Sequence, residues 1–106
     1  MNGSGIVLII DTSAAGSAKA ALVMNGSRTE RDASHVLQRS QAILPLIETL
    51  CSDAGIKPDE ITEVSVVTGP GSYTGLRIGA AVANMFGALL SVPVNGKNTI
   101  VVPEYS

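Results

Sequence analysis

The sequence is poor in the residues on which most enzyme chemistry runs. Its 106 residues include one histidine, His35, one cysteine, Cys51, and no tryptophan, and only 3% are aromatic. One histidine and one cysteine cannot build a Cys/His zinc site or an internal disulfide framework. A Ser-His-Asp triad would have to use His35, and no nucleophile-elbow motif supplies its serine, so His35 reads as a solvated loop residue. Charge is scarce as well: seven Lys and Arg against nine Asp and Glu leave a net charge of -2 and no basic stripe. That argues against independent nucleic-acid binding, and an RNA role would need a partner to supply the charge. Asp59, Glu60 and Glu63 read as a solvated turn, and no spaced acid/base pair stands out.

Long apolar runs are also missing. The longest uncharged stretch lies between Arg77 and Lys97, but Asn84 interrupts it and Pro93 ends it, short of the roughly 20 apolar residues a membrane span needs. Ile6 to Ile10 has no basic region before it and Asp11 directly after it, which describes a buried strand and not a signal peptide. The expectation is a cytoplasmic protein with no membrane association, in a reducing compartment where Cys51 serves as a small buried hydrophobe.

What the chain has is apolar content, 45% hydrophobic against 15% charged, enough for one core and one domain over residues 1–106. Met1 to Gly5 is a small, polar leader expected to be frayed. Ile6 to Ile10 is continuously apolar, as in a central strand covered on both faces. Ser17 to Met24 is a second strand, Asn25-Gly26 a hairpin turn, and Ser27 to Ser34 a charged third strand at an edge. Ser40 to Ala54 is an amphipathic helix with Ile43, Ile47, Leu50, Cys51 and Ala54 on one face, ended by Gly55 and bent at Pro45. After a turn at Lys57 to Glu60 come a strand at Glu63 to Thr68, a helix from about Thr74 to Ser91, a short strand at Val92-Pro93-Val94 and a turn at Asn95 to Asn98. Thr99 to Ser106 is a further extended piece or a tail. The order β-β-β-α-β-α-β predicts an α/β fold with a mixed five-stranded sheet.

The stretch Val66 to Gly79, V-V-T-G-P-G-S-Y-T-G-L-R-I-G, is a strand, a glycine loop and a helix start, with Ser72 and Thr74 as N-cap residues. Such a loop can hold an anion. The specific nucleotide motifs fail, because Leu76-Arg77 follows Gly75 where a P-loop needs Lys and a hydroxyl. A tight turn allowing close packing is the competing reading. Asp11-Thr12-Ser13, at the end of a central strand, has the same two readings: a polar site for a metal-bound phosphate, or a carboxylate capping its own turn. Asp11, Thr12, Ser13, Gly69, Gly71 and Ser72 are the candidate phosphate-binding residues.

The long helix is apolar on two sides. Ile78, Val82, Met85, Phe86 and Leu89 form a bulky face expected on the sheet. Leu76, Gly79, Ala80, Ala83, Gly87 and Leu90 form a second face, expected to bury against another helix, in this chain or another.

Gly69 to Gly79 resembles the G-P-G-S-F-T-G-[LV]-R-[IV]-G signature of the TsaB (YeaZ) family, with Tyr73 in place of Phe. Ile10 to Ser13 resembles the family's first strand and turn, Ser40-Gln41 with Leu44-Pro45 its S-[EQ]-x-L-L-P segment, and Pro93-Val94 its closing strand. The resemblance covers about Ile6 to Gly96. It implies a fold like the N-terminal half of the actin-like ATPase (ribonuclease H-like) superfamily. It also implies membership in the bacterial complex that makes threonylcarbamoyladenosine beside the tRNA anticodon, as a non-catalytic subunit without cofactor or metal. Such a subunit binds a TsaD-like catalytic partner through its two helices, forms a homodimer in isolation through the same surface, and meets tRNA only through the complex.

The interface residues expected on this basis are Leu44, Leu76, Gly79, Ala80, Ala83, Gly87 and Leu90, and a glutamate at Ala83 would then break association without unfolding the domain. The alternative is an actin-like domain that binds or hydrolyses ATP with Asp11 and the Gly69 to Gly75 loop. A peptidase-like activity is weaker still, since the catalytic relative's histidine pair is absent. Family members often carry His where this chain has Arg39, and are usually twice as long, with a second lobe that closes a cleft and is expected to be absent here.

Overall fold

The computed structural model describes residues 5–34, 39–98 and 100–103; the expectations for residues 1–4 and for His35 fall outside them. Three strands come first: β1 (Ile6–Asp11), β2 (Ser17–Met24) and β3 (Ser27–Ser34). They form an antiparallel meander, with Ile10 opposite Ala20 and Ala21 opposite Glu30. Asn25 and Gly26 both take positive φ, 54° and 77°, the conformation that a two-residue hairpin turn requires and that Asn-Gly tolerates. Next come α1 (Arg39–Ala54), a 3-10 turn at Pro58–Glu60, β4 (Glu63–Val66) and α2 (Tyr73–Leu90). β4 runs parallel to β1 with Val64 opposite Leu8, which gives the sheet order β3-β2-β1-β4.

The sheet has four strands, not five. Val94 makes a single parallel bridge to Val64, with Val64 N donating to Pro93 O (3.0 Å) and Asn95 N to Val64 O (2.9 Å). There the ladder stops, because Asn95 and Gly96 turn the chain away at positive φ, 52° and 76°. The Asn95 carboxamide supplies the next rung: Val66 N donates to its Oδ1 (2.8 Å) and its Nδ2 donates to Val66 O (3.1 Å). A side chain thus satisfies the open edge of β4 where further backbone was expected.

Both helices lie on the same face of the sheet. Leu8, Ile10, Ala20, Leu22, Val64 and Val66 are buried there against Ile43, Ile47, Leu50 and Cys51 of α1 and Ala83 and Phe86 of α2. α1 crosses β2 and β3, and the Arg31–Asp53 ion pair ties it to β3. The apolar face predicted for α1 is the buried one, and the helix continues through Pro45, whose ring sits on the exposed side. The expected burial of β1 on both faces is corrected, since Val7 and Ile9 on the opposite face are only half-buried.

Apart from Phe86, which is buried on the sheet side as expected, the two sides of α2 are the reverse of those expected. Gly75, Leu76, Gly79, Ala80 and Ala83 are buried with Phe86, whereas Met85 and Leu89 are exposed and Ile78 and Val82 half-buried. Distance gives the reason. A Cβ on Gly79 would stand 2.6 Å from Thr12 Oγ1 and 3.2 Å from Val66 Cγ2, and one on Gly87 would stand 2.6 Å from Val94 Cγ2. The small residues let the helix backbone rest on β1, β4 and the Val94 segment, and a bulky face would hold it off. Asn84, the polar residue in mid-helix, is taken up by the chain that follows: its Nδ2 donates to Val101 O and its Oδ1 accepts from Val101 N, both at 2.9 Å.

Two outcomes follow from this packing. Gly79→Ala should lower the urea midpoint, because overpacking costs about 1–3 kcal/mol and exceeds the helix-propensity gain of about 1 kcal/mol; a raised midpoint would mean the seam has slack. Cys51 is buried, and burial pushes its thiol up, with the charge of Glu60 adding to the shift. A pKa raised in the folded state gives stability that is present in full below the unfolded thiol value, about 8.5, and is lost as pH rises through the folded one. Cys51→Ala should therefore flatten the decline of stability above that pH, as measured by denaturant titration from neutral to alkaline buffer.

Candidate interaction face and the glycine loop

Of the six residues read as a phosphate site, Asp11, Thr12, Ser13, Gly71 and Ser72 come together, and their polar groups bond within the two loops. Thr12 is buried and its Oγ1 donates to Gly75 O at 2.5 Å. Asp11 Oδ1 accepts from Ser13 N (3.0 Å) and Ser13 Oγ (2.5 Å), so the carboxylate caps its own turn. Ser72 N donates to Ser13 O at 2.8 Å, and a Cβ on Gly71 would lie 2.6 Å from Ser13 Cβ. The Gly75 amide, which an anion at the helix N-terminus would use, donates to the Ser72 hydroxyl (3.1 Å). Gly69 leads the chain out of the β4 segment at φ 154°. The geometry gives this loop a packing role, and among the described residues no three His, Cys, Asp or Glu side chains gather where a metal could bind.

On the sheet face opposite the helices, a cleft of about 160 Å³ is lined by Asp11, Lys19, Arg28 and Glu30 over Ile9, Ala21 and Val67. Glu30 bridges Lys19 (3.8 Å) and Arg28 (3.0 Å). The sequence does not reveal this cluster, since strand register alone brings it together. It is smaller than the roughly 300–1,000 Å³ of ordinary ligand sites, and its charges pair in solvent, where such pairs contribute little.

The face with the character of an interface is the outer side of the two helices. Leu44 (40% exposed), Met85 (38%), Tyr73 (56%) and Leu89 (74%) show large apolar surface to solvent. Ile78, Val82, Met85 and Leu89 recur at helical spacing and form one stripe. Beside it lies a groove of about 380 Å³ whose lining includes Tyr73, Arg77, Ile78 and Val82. The Arg77 guanidinium rests 5.6 Å from the centroid of the Tyr73 ring. Asp53 points to β3, and nine residues at about 100° each place Leu44 about 180° from it, on the flank toward α2.

The residues expected at the interface are corrected accordingly. Leu76, Gly79, Ala80 and Ala83 are buried against the sheet, Gly87 meets Val94, and Leu90 is half-buried against the core; of the seven, Leu44 alone stands exposed. The exposed residues of this face that sequence reasoning passed over are Tyr73, Arg77, Met85 and Leu89. The signal for them was present in the small-residue stripe, which marks close approach to the sheet and so turns the bulky face outward.

Comparison with known proteins fits this geometry. The family model described as TsaD: tRNA N6-adenosine threonylcarbamoyltransferase matches residues 34–103. The tRNA threonylcarbamoyladenosine biosynthesis protein TsaB of Bacillus subtilis is 32% identical over 57 residues, 54% of this chain and 25% of its own length. Its namesake in Haemophilus influenzae is 32% identical over 88 residues, 81% of this chain and 37% of its own. The solved structure of YeaZ from Pseudomonas aeruginosa superposes with a TM-score of 0.79 at 27% identity, covering 85% of this chain and 42% of that one. The chain thus spans between 25% and 42% of the length of these relatives. Among the described residues no helix is long and apolar enough to cross a membrane. Signature, sheet order and these matches agree: the chain belongs to the TsaB (YeaZ) family, within the group that the TsaD model describes.

Proposed function

We infer that the chain serves tRNA threonylcarbamoyladenosine biosynthesis as a non-catalytic subunit, by docking the outer face of α1 and α2 on a TsaD-type catalytic protein. The observation that carries this reading is that Met85 and Leu89 stand in water, beside half-buried Ile78 and Val82, on a helix whose Gly75, Gly79, Ala80 and Ala83 are buried. Covering such side chains is worth about 1.5–3 kcal/mol each, and aromatic residues, Met and Arg are the types enriched at interface cores. The loop residues that would make it an ATP-binding domain are occupied with one another, and with a net charge of -2 the chain reaches tRNA through its partner.

The test is complex formation with the TsaD-type protein of the same source, followed by light scattering. Met85→Glu together with Leu89→Glu should abolish the complex and leave the circular dichroism and thermal midpoint of the chain unchanged. Ala83→Glu should instead unfold it, since a carboxylate would be forced into a site with no exposure. A complex that survives the Met85/Leu89 double variant would exclude this face.

A further inference from the structure

Asparagine followed by glycine is the dipeptide most prone to react with itself, and the sequence holds three: Asn2-Gly3, Asn25-Gly26 and Asn95-Gly96. The first lies outside the described residues. The other two share one backbone conformation, with Asn25 and Gly26 at φ 54° and 77° and Asn95 and Gly96 at 52° and 76°. Each spans a two-residue turn, closed by Met24 opposite Ser27 in the first and by Val94 opposite Lys97 in the second. All four residues are exposed, and the space where a Cβ on either glycine would stand is open. What separates the two turns is the carboxamide. That of Asn95 is held at both ends on β4, with Val66 N donating to its Oδ1 (2.8 Å) and its Nδ2 donating to Val66 O (3.1 Å). Among the described residues nothing hydrogen-bonds the carboxamide of Asn25.

We propose that Asn25 is a site of spontaneous deamidation in the folded chain, giving aspartate and isoaspartate, and that the edge of β4 keeps Asn95 from the same reaction. The Gly26 amide nitrogen attacks Asn25 Cγ, the bond from Cγ to the side-chain nitrogen breaks, and ammonia leaves with the proton that the amide gives up. Water then opens the cyclic imide at one or the other of its carbonyls, and nothing is oxidised or reduced. Glycine favours the first step because no side chain crowds its amide and its backbone is the least constrained. At Asn95 the attack must first lift the carboxamide off Val66, breaking two hydrogen bonds and leaving both backbone groups of Val66 unpaired. The products differ in consequence as well. Aspartate suits a turn of this kind as asparagine does, whereas isoaspartate carries the backbone through the side-chain methylene and lengthens the turn that sets the register of β3 on β2. Aspartate at position 95 would have no N–H for Val66 O and would set a carboxylate oxygen against it, opening the edge that Asn95 closes.

Peptide mapping by mass spectrometry tests both halves. The 106-residue chain is held in mildly alkaline buffer, folded and in urea, and each asparagine's rate is taken relative to that of a synthetic peptide spanning the same pair. An isoaspartyl methyltransferase with labelled methyl donor marks the isoaspartyl product. In the folded chain the relative rate at Asn25 should exceed that at Asn95 by at least about tenfold, the difference that two hydrogen bonds of ordinary strength impose, and in urea the two should draw together. Asn95→Asp should lower the thermal midpoint, and Asn25→Asp should leave it unchanged. Equal relative rates in the folded chain, or an Asn95→Asp midpoint equal to that of the parent, would overturn the protection of Asn95 by β4. An Asn25 that converts in urea and stays intact in the folded chain would overturn the site itself.

Discussion

The structure depends on how near α2 comes to the sheet. Gly71 meets Ser13, Gly79 meets Thr12 and Val66, and Gly87 meets Val94, each so closely that even a Cβ would collide. At this separation a side-chain hydroxyl on the β1 turn reaches a helix carbonyl directly, and Thr12 donates to Gly75 across 63 positions of sequence. Dispersion falls off steeply once surfaces part by a fraction of an ångström. The backbone contact is therefore worth most where nothing intrudes, and Ile10, Val66 and Val94 are covered by helix backbone as well as by side chains.

Turning the small residues inward has a consequence on the other side. A helix that rests on the sheet through Gly79 and Ala83 cannot also bury the residues half a turn away, so Met85 and Leu89 reach solvent. In an isolated domain such side chains contribute nothing to folding and lower solubility. The same sequence feature thus sets the core on one side of the helix and the exposed apolar stripe on the other, and a substitution that enlarged the seam would disturb both.

Elements whose signals were local were legible in the sequence. Asn25-Gly26 defined the hairpin, and in α1 the bulky residues Ile43, Ile47 and Leu50 recur on one face with polar residues opposite, so periodicity found the buried side. In α2 periodicity could not choose, since both sides are apolar; weight was given to bulk, and the decisive property was the absence of side chain at Gly79 and Gly87. The fifth strand failed for another local reason. Val92-Pro93-Val94 has the composition of a strand, but Asn95 takes a positive φ and spends its carboxamide on Val66, which composition does not reveal. The Asp11 and Gly71 loops were correctly brought together by the logic of strand ends. Whether they hold an anion or each other is decided by hydrogen bonds such as Ser13 Oγ to Asp11, and those exist only once the register and the helix position are set.

Apolar contact and charge then divide the work of recognition. Leu44, Met85 and Leu89 supply area, but area has little direction, and a stripe of this kind can be met by many apolar helices. Direction has to come from groups whose wrong placement costs energy. On α2 the sequence offers one, Arg77. Arg77 is constrained by the Tyr73 ring beneath it, which limits the entropy it would lose on pairing. Tyr73 stands where the family signature has Phe, and its hydroxyl adds a weak contact at 3.4 Å to the same guanidinium. The substitution acts on Arg77, the one charged side chain of α2.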